Sequence, residues 1–287
     1  MATDTALPRR SDGLRRFVQK GGLVRLLVVV GVYLVLYLGA GWLLGRLGSG
    51  YADDDLLSSV GAVFFQLTVA LVVGAVVLTV FITFMGWNAE IFGRQPVYRS
   101  GWMWIAPVLV AVPIVMRVLD IDWGGPVLSV VLLMLASGLL VGYVEELLFR
   151  GIAVKMLRDA GHRELAVAAL SSLVFGLSHG INALTGQDAK TVGSTMVYTV
   201  AFGALMYLTM RATGFIVVAM VLHGLTDPTT FLASGGIDTV VGTGGTTALG
   251  DAVGLVTVVM IVLGLVLLLC VRGVAGQPRG PKARGRA

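Results

Sequence analysis

The sequence predicts an all-α, polytopic membrane protein with about eight transmembrane helices. Of its 287 residues, 56% are hydrophobic and only 13% are charged, and the mean hydropathy is +0.90, well above the range of ordinary soluble domains. Apolar runs long enough to cross about 30 Å of hydrocarbon, roughly 20 helical residues each, recur from Leu23 almost to the C-terminus. This composition excludes a water-soluble fold.

Eight runs meet the length requirement. In order they are Val24 to Leu44, Leu57 to Met85, Trp102 to Val118, Val127 to Leu157, Leu165 to Leu184, Val192 to Met210, Phe215 to Leu232 and Ala252 to Val271. The first run follows a basic segment, as in a signal peptide, but it is too long and lacks a convincing small-residue cleavage site. We interpret it as a retained anchor.

These runs divide the chain into five segments. They are a cytoplasmic basic N-terminal arm (1–23), three N-terminal transmembrane helices (24–125), a core (126–233), an outer loop with the last transmembrane helix (234–272), and a basic disordered tail (273–287). The arm and the tail are polar and contain Gly and Pro, which is typical of solvated segments beside an anionic leaflet.

The distribution of charge predicts the orientation. Most Lys and Arg residues lie in the arm, the tail and the loops on the same side as both termini, whereas the opposite loops carry aspartates. The positive-inside rule therefore places both termini in the cytoplasm, and a composition rich in Gly, Ala, Val and Arg favours a bacterial plasma membrane. The formal charge of +5 is explained by these loops, so no nucleic-acid partner is expected. Cys270 is the only cysteine, which excludes an intramolecular disulfide and a multi-cysteine metal site.

Few ionisable side chains lie within the predicted spans. Those singled out are Glu145, Glu146 and Arg150 on the fourth span, His179 on the fifth, and His223 and Asp227 on the seventh. A charge near the middle of a membrane helix costs about 2.5 to 3.5 kcal/mol unless it is paired or faces a wet cavity. Such residues therefore indicate a functional site.

Spacing on the fourth span separates two kinds of glutamate. Glu146 and Arg150 are four residues apart, so they can pair on one face of the helix and offset each other's desolvation. Glu145 points about 100° away and has no obvious partner on its own helix.

Two further patterns surround the histidines. His223 and Asp227 in HGLTD are four residues apart, which lets the acid or its backbone neighbours orient the imidazole. Phe175 and His179 in FGLSH are also one turn apart, and Asn182, three residues later, is a candidate for the same cavity.

The depths of the three candidate groups agree with one site. Counted from the nearest predicted cytoplasmic basic residue at 1.5 Å per residue, Glu145, His179 and His223 lie at roughly 20, 24 and 18 Å. We therefore expect the three side chains to converge on a hydrated pocket.

The three motifs resemble those of the CPBP family of intramembrane metalloproteases. EELLFR fits the EExxxR motif, FGLSH fits FxxxH, and HGLTD fits HxxxN/D. The family joins type II CAAX prenyl endopeptidases with bacteriocin-processing and self-immunity (ABI) proteins. The similar region spans about 127 to 232, so the resemblance places a catalytic core on helices 4 to 7.

The resemblance implies an intramembrane endopeptidase whose partners are the lipid bilayer and a membrane-protein or lipid-anchored peptide substrate. Glu145 and His179 would activate a water for attack on a peptide bond, and His223 with Asp227 would stabilise the oxyanion.

Three further residues would then have a supporting structural role, namely Glu146, Arg150 and Phe175. One position departs from the prenyl endopeptidases, which carry Asn where this chain has Asp227. An amide can donate a hydrogen bond to an oxyanion and an ionised carboxylate cannot. Asp227 would therefore be protonated, hold His223, or bind metal.

Alternatives stay open at this point. Glu145, His179 and His223 could instead be three zinc ligands with water in the fourth position, so the expected cofactor is either zinc or none. A non-proteolytic scaffold or regulator of the same family is the alternative function. A proton-coupled transporter is a further one, because intramembrane Glu, His and Asp also form relays.

Overall fold

The computed structural model describes residues 10–52, 54–97, 99–235 and 247–275. In this part of the chain the structure has ten helices, α1 to α10, and no strand. Five parts of the predicted segments lie outside the described residues: 1–9 of the arm, residues 53 and 98 of the segment 24–125, 236–246 of the outer loop, and 276–287 of the tail.

The helices are α1 Arg10–Gln19, α2 Leu23–Gly45, α3 Val60–Met85, α4 Asn88–Phe92, α5 Ile105–Asp120, α6 Leu128–Asp159, α7 Glu164–Ser178, α8 Ala189–Thr213, α9 Ile216–Ser234 and α10 Ala248–Leu269. Three 3-10 segments adjoin them: Arg46–Tyr51 after α2, Gly101–Trp104 before α5, and His179–Thr185 after α7. Two helices contain a π-helical segment, Phe64–Thr68 in α3 and Leu147–Ala153 in α6.

Eight of these helices are long and apolar enough to cross a membrane. They are α2, α3 and α5 to α10, and their bounds lie close to the predicted spans. The largest difference is in the first span, which continues to Tyr51. The prediction of an all-α, multi-pass membrane protein is therefore confirmed.

Side-chain caps and left-handed glycines set several helix ends. Ser59, Asp188 and Thr247 each accept a backbone N–H in the first turn of α3, α8 and α10. Hydrogen bonds from the Thr191 hydroxyl and backbone hold the pKa of the Asp188 carboxyl below its usual range. At the other end of α8 the chain turns at Gly214, where φ is +89°, a conformation that glycine adopts without a steric penalty.

Helix α8 lies at the centre of the bundle and α2 at its edge. In the apolar stretch of α8 that could cross a membrane, 61% is buried inside the protein, whereas in the corresponding stretch of α2 only 17% is buried. Helix α8 packs against α7, α9 and α10, while α6 packs against α9 and α3. The predicted core segment therefore forms the interior of the molecule, with α2 closing one side.

Glycines bring α6 and α9 into backbone contact. A methyl group added at Gly142 would lie 2.1 Å from the Met220 carbonyl oxygen, and one added at Gly138 would lie 2.4 Å from that of Gly224. Small residues four apart allow this close approach of membrane helices. The contact places the next turn of α6 directly beside the middle of α9, where the predicted site lies.

A second group of charges is buried where α6 ends and α7 begins. We call Arg158, Glu164, Tyr207 and Arg211 the end cluster. Arg158 Nε and Nη2 each lie 2.9 Å from a Glu164 oxygen, the Tyr207 hydroxyl also bonds to Glu164, and Arg211 Nη1 lies 3.8 Å away. Arg211 is buried and only 9% of the Arg158 side chain is exposed, so both arginines lie against the carboxylate that opens α7.

Part of the N-terminal arm is helical, since residues 10–19 form α1. Val18 is buried in the bundle, and Arg15 Nη2 donates to the Met85 carbonyl at the end of α3 at 3.5 Å. After α1, Gly22 N donates to the Met156 carbonyl at 2.9 Å. These contacts with α3 and α6 give α1 and the turn after it a fixed place on the bundle.

Candidate active site

The two glutamates of α6 lie at the end of its first α-helical segment, immediately before the π-helical segment Leu147–Ala153. Such π segments occur frequently at functional sites. The predicted pair forms across this junction: Arg150 Nη1 lies 3.2 Å from Glu146 Oε1, and both side chains are fully buried.

The imidazole of His223 lies between the two glutamates. Its Nδ1 is 2.8 Å from Glu146 Oε1, and its Nε2 is 3.4 Å from Glu145 Oε2. Although the glutamates leave α6 in different directions, they contact opposite edges of one ring on α9. We call Glu145, Glu146, Arg150 and His223 the interior cluster.

Asp227 lies on the same side of the ring as Glu145. Its Oδ2 is 4.0 Å from His223 Nε2, too far for a hydrogen bond. The carboxylate that orients the imidazole is therefore Glu146, from a neighbouring helix, and not the residue one turn further along α9. About 30% of the Asp227 side chain is exposed, which leaves its carboxyl accessible.

His179 lies immediately after α7, at the start of the 3-10 segment His179–Thr185. Its Nδ1 lies 3.0 Å from the Phe175 carbonyl oxygen, and because a carbonyl can only accept, we assign the ring proton to Nδ1. The Nε2 lone pair is then available to accept a proton or a hydrogen bond. The Phe175 ring meets both imidazoles edge to face, with centroids 4.9 Å from His179 and 5.9 Å from His223.

A cavity of about 120 Å³ lies between α2, α6 and the end of α7. Its polar lining residues are Tyr33, Tyr37, Glu145, Ser178, His179 and Asn182. The cavity has room for water, and several polar groups are present to bind it. Glu145, whose side chain is 27% exposed, links the cavity to His223.

Residues 127–229 match the model of the family described as Type II CAAX prenyl endopeptidase Rce1-like. These residues form a domain of that family. The matched segment begins just before α6 and ends within α9, so it contains all three motifs and agrees with the predicted region of 127 to 232. No curated protein matches the chain. The match of this segment to a family of prenyl endopeptidases implies an intramembrane protease.

The Rce1-like domain brings most of the predicted site together. Glu145 and His223 are within 3.4 Å, and Asp227 faces the same nitrogen. His179 and Asn182 line the cavity that Glu145 also lines. The residues predicted to be structural are Glu146, Arg150 and Phe175, and of these Glu146 does more than pair with arginine, because it also fixes His223.

Sequence reasoning missed the contribution of α2, which lies outside the matched segment. Tyr33 and Tyr37 line the cavity and stack with ring centroids 5.9 Å apart. The Tyr33 hydroxyl is buried and, among the described residues, has no hydrogen-bond partner. Two tyrosines one turn apart in an otherwise apolar span are the signal that could have indicated this wall.

The histidines are oriented as zinc ligands commonly are, but the described residues do not provide a complete set of ligands. Both imidazoles use Nδ1 to contact an oxygen atom, the arrangement that commonly orients metal-binding histidines, so Nε2 of each is the nitrogen a zinc ion would use. Across the described ranges, however, no three His, Cys, Asp or Glu side chains are placed to hold a metal ion. We therefore derive no step through a metal.

Proposed function

We propose that this protein is an intramembrane endopeptidase that hydrolyses peptide bonds of membrane-associated substrates through a water activated by Glu145 and His179. The observation that carries the proposal is that both residues line one cavity while Glu145 also lies 3.4 Å from His223. A base, a second water-binding nitrogen and an oxyanion-binding ring are thus contributed by three different membrane helices.

The attacking water is held in the cavity between Glu145 and His179. The Glu145 carboxylate takes one proton as the water oxygen bonds to the carbonyl carbon, and His179 Nε2 accepts the other O–H as a hydrogen bond, which fixes the direction of attack. General-base catalysis of this kind contributes about 10²- to 10⁴-fold. When the tetrahedral intermediate collapses, the C–N bond breaks and Glu145 returns its proton to the leaving amine.

The negative charge of the intermediate falls on the former carbonyl oxygen, beside His223. With Nδ1–H donating to Glu146, the ring donates to the oxyanion when Nε2 also carries a proton. Asp227 adds a second donor if its carboxyl is protonated. Donors fixed in place before the reaction are worth most in a water-poor site, and Glu146 holds the ring in that position.

The substrate we propose is a membrane-protein segment or a lipid-anchored peptide, of which prenylated peptides are the type suggested by the family description. Helix α2 separates the cavity from the lipid, and it carries Tyr33 and Tyr37 on the cavity side. Other α2 side chains, such as Val32 and Val35, are exposed apolar groups. A substrate held in the bilayer would therefore reach the cavity along an edge of α2.

The test is cleavage of a peptide panel by the full-length protein in detergent. The panel contains a farnesylated CAAX peptide, the same peptide without the prenyl group, and a peptide with a transmembrane segment, each analysed by mass spectrometry. We expect cleavage by the wild type and strongly reduced cleavage by Glu145→Gln and by His223→Asn. Cleavage that survives both substitutions would refute the mechanism.

Two other outcomes would identify the alternatives. A folded wild type that cleaves nothing but retains a membrane partner would support the non-proteolytic scaffold or regulator. Ion flux into proteoliposomes without cleavage would support the proton-coupled transporter.

The zinc version of the mechanism has its own measurement. Metal analysis of the purified protein, followed by chelation and readdition of zinc, would show stoichiometric metal and reversible loss of cleavage if Glu145, His179 and His223 are ligands. The glutamate version predicts activity that does not depend on the chelator.

We also propose that both termini face the cytoplasm of a bacterial plasma membrane. The proposal is supported by the concentration of Lys and Arg on that side. Cys270, the only cysteine, is exposed at the end of α10. A membrane-impermeant maleimide should label it in inverted vesicles and not in intact cells, whereas a Cys270→Ser variant should stay unlabelled in both.

A further inference from the structure

A second cavity, separate from the candidate active site, opens where α8 turns into α9. Its volume is about 550 Å³, within the range of small-ligand sites. Six of its lining residues are Arg94, Gln95, Arg99, Ser100, Gly101 and Trp104. We call this cavity the Arg94–Arg99 groove.

The walls of the groove are fixed to the bundle. Gln95 N donates to the Gly214 carbonyl at 2.9 Å, and Arg99 Nη1 donates to the Thr213 carbonyl at 3.1 Å, so the segment between α4 and α5 is attached to the end of α8. The Gln95 side chain in turn accepts from Arg158 Nη1 at 2.6 Å. The groove is therefore held in shape by hydrogen bonds to the rest of the bundle.

Neither of its two arginines has an acidic partner among the described residues. Arg150, Arg158 and Lys155 each lie within 4.0 Å of a carboxylate. In the described residues no carboxylate lies within that distance of the Arg94 or Arg99 guanidinium. Two unneutralised guanidinium groups beside one cavity attract an anion, and guanidinium matches phosphate through paired N–H donors.

The position of the groove indicates the level of the lipid headgroups. It lies at the first turn of the span Gly101–Asp120 and at the end of Ala189–Thr213. Trp104, 54% exposed, stands at its rim, where tryptophan is typically found at the membrane–water boundary. The first backbone N–H groups of this span, near Ser100 and Gly101, add a further preference for negative charge.

We propose that the Arg94–Arg99 groove binds a phosphate-bearing anion, supplied either by an anionic lipid headgroup or by a soluble phosphate. Basic pockets between transmembrane helices hold headgroups in this way, with each Lys or Arg contributing about 1 kcal/mol. Loss of both arginines should therefore weaken binding roughly 30-fold.

The experiment uses the full-length protein and two probes. Retention of phosphatidylglycerol is measured by native mass spectrometry after reconstitution in phosphatidylcholine vesicles with and without phosphatidylglycerol. The thermal midpoint is measured in detergent while inorganic phosphate is titrated. The variants are Arg94→Gln/Arg99→Gln and, as a matched control, Lys20→Gln/Arg163→Gln, which removes the same charge from exposed positions at the same end of the bundle.

Each outcome decides the proposal. Phosphatidylglycerol retention that the groove variant loses and the control keeps supports a headgroup site. A phosphate-dependent rise in thermal midpoint that only the groove variant loses supports a soluble phosphate. Equal retention by all three proteins, or equal loss in the control, overturns the proposal. If the double variant misfolds, Arg94→Gln alone serves, because the Arg94 side chain makes no hydrogen bond to the described residues.

Discussion

The interior cluster and the end cluster are both built on a buried glutamate paired with arginine. They differ in whether both oxygens of that glutamate receive a hydrogen-bond donor. We call the cluster in which both do closed, and the other one open. In the end cluster both oxygens of Glu164 receive a donor, from Arg158 and from the Tyr207 hydroxyl. In the interior cluster Glu146 Oε1 serves both Arg150 and His223, while its Oε2 is buried without a hydrogen-bond partner among the described residues. From His223 the cluster then continues to Glu145, at the edge of the cavity.

This difference suggests a structural role for the charges of the end cluster and a chemical role for those of the interior cluster. A closed network satisfies both oxygens of its carboxylate and fixes the helices that carry its members, here the ends of α6, α7 and α8. A network with one accessible carboxylate keeps a group that can exchange protons with water. Buried ion pairs bring little net stability because desolvation offsets their attraction, so the open cluster needs another explanation, and the cavity beside Glu145 supplies it.

The largest expected effect is on activity, from Glu145→Gln. The amide keeps the shape and removes the base, so peptide cleavage should fall by about 10²- to 10⁴-fold, measured as kcat/KM in detergent. Thermal stability should change little, because the side chain is partly exposed. Glu90→Gln, which neutralises an exposed carboxylate paired with Lys155, is the control and should keep full activity. Equal activity in both variants would contradict the open-cluster interpretation.

Glu146→Ala should lower both stability and activity. It leaves the fully buried Arg150 unpaired and His223 unoriented, and breaking a buried pair costs about 3 to 5 kcal/mol. The measurement is thermal and denaturant unfolding in detergent, with cleavage assayed on the folded fraction. Glu146→Leu/Arg150→Met, which removes both charges, should be more stable than the single variant yet still inactive. A double variant as unstable as the single one would show that the ion pair is not the cause.

Glu164→Ala tests the closed cluster. Removing this carboxylate leaves Arg158 and Tyr207 without their shared acceptor, and the loss should again be about 3 to 5 kcal/mol. Cleavage per folded molecule should be unchanged, because the end cluster does not line the active-site cavity. A variant with wild-type stability and reduced kcat would abolish the distinction between the two clusters.

A smaller effect is expected from the contact that positions the interior cluster. Gly142→Ala places a methyl group 2.1 Å from the Met220 carbonyl oxygen, so α6 and α9 must separate, at a cost of about 1 to 3 kcal/mol. Because the glutamates lie on α6 and His223 on α9, kcat should fall as well. Gly193→Ala, where an added methyl group meets no atom within 4 Å, should be as stable as the wild type or more so.

The sequence predicted the spans, and it named the residues of the candidate site, because both inferences depend on local properties. Apolar length is read directly from composition, and Glu146 and Arg150 pair because four residues make one helical turn. The partner of His223 was not predictable in the same way. Glu146 reaches Nδ1 only because α6 and α9 touch at their glycines, and no spacing within one helix specifies a crossing between two.

The same reason explains two other differences. Arg158 and Arg211 lie on different helices, and only the packing of α6, α7 and α8 brings both of them to Glu164. Tyr33 and Tyr37 belong to a span outside the three motifs, and their place on the cavity wall depends on how α2 packs against α3. Contacts between distant segments, and not the local pattern, determined what was missed.

The smallest effect is expected from Asp227→Asn, and it decides how the oxyanion is held. Oδ2 of Asp227 is 4.0 Å from His223 Nε2, so the carboxyl does not orient the ring. If Asp227 acts as a protonated donor, an amide replaces it in shape and in function, and kcat/KM should stay within about tenfold of the wild type, the worth of one hydrogen bond. Asp227→Ala has no donor and should lose about 10²-fold or more, as when an oxyanion donor is removed. An Asn variant as inactive as the Ala variant would show instead that the negative charge of Asp227 is required.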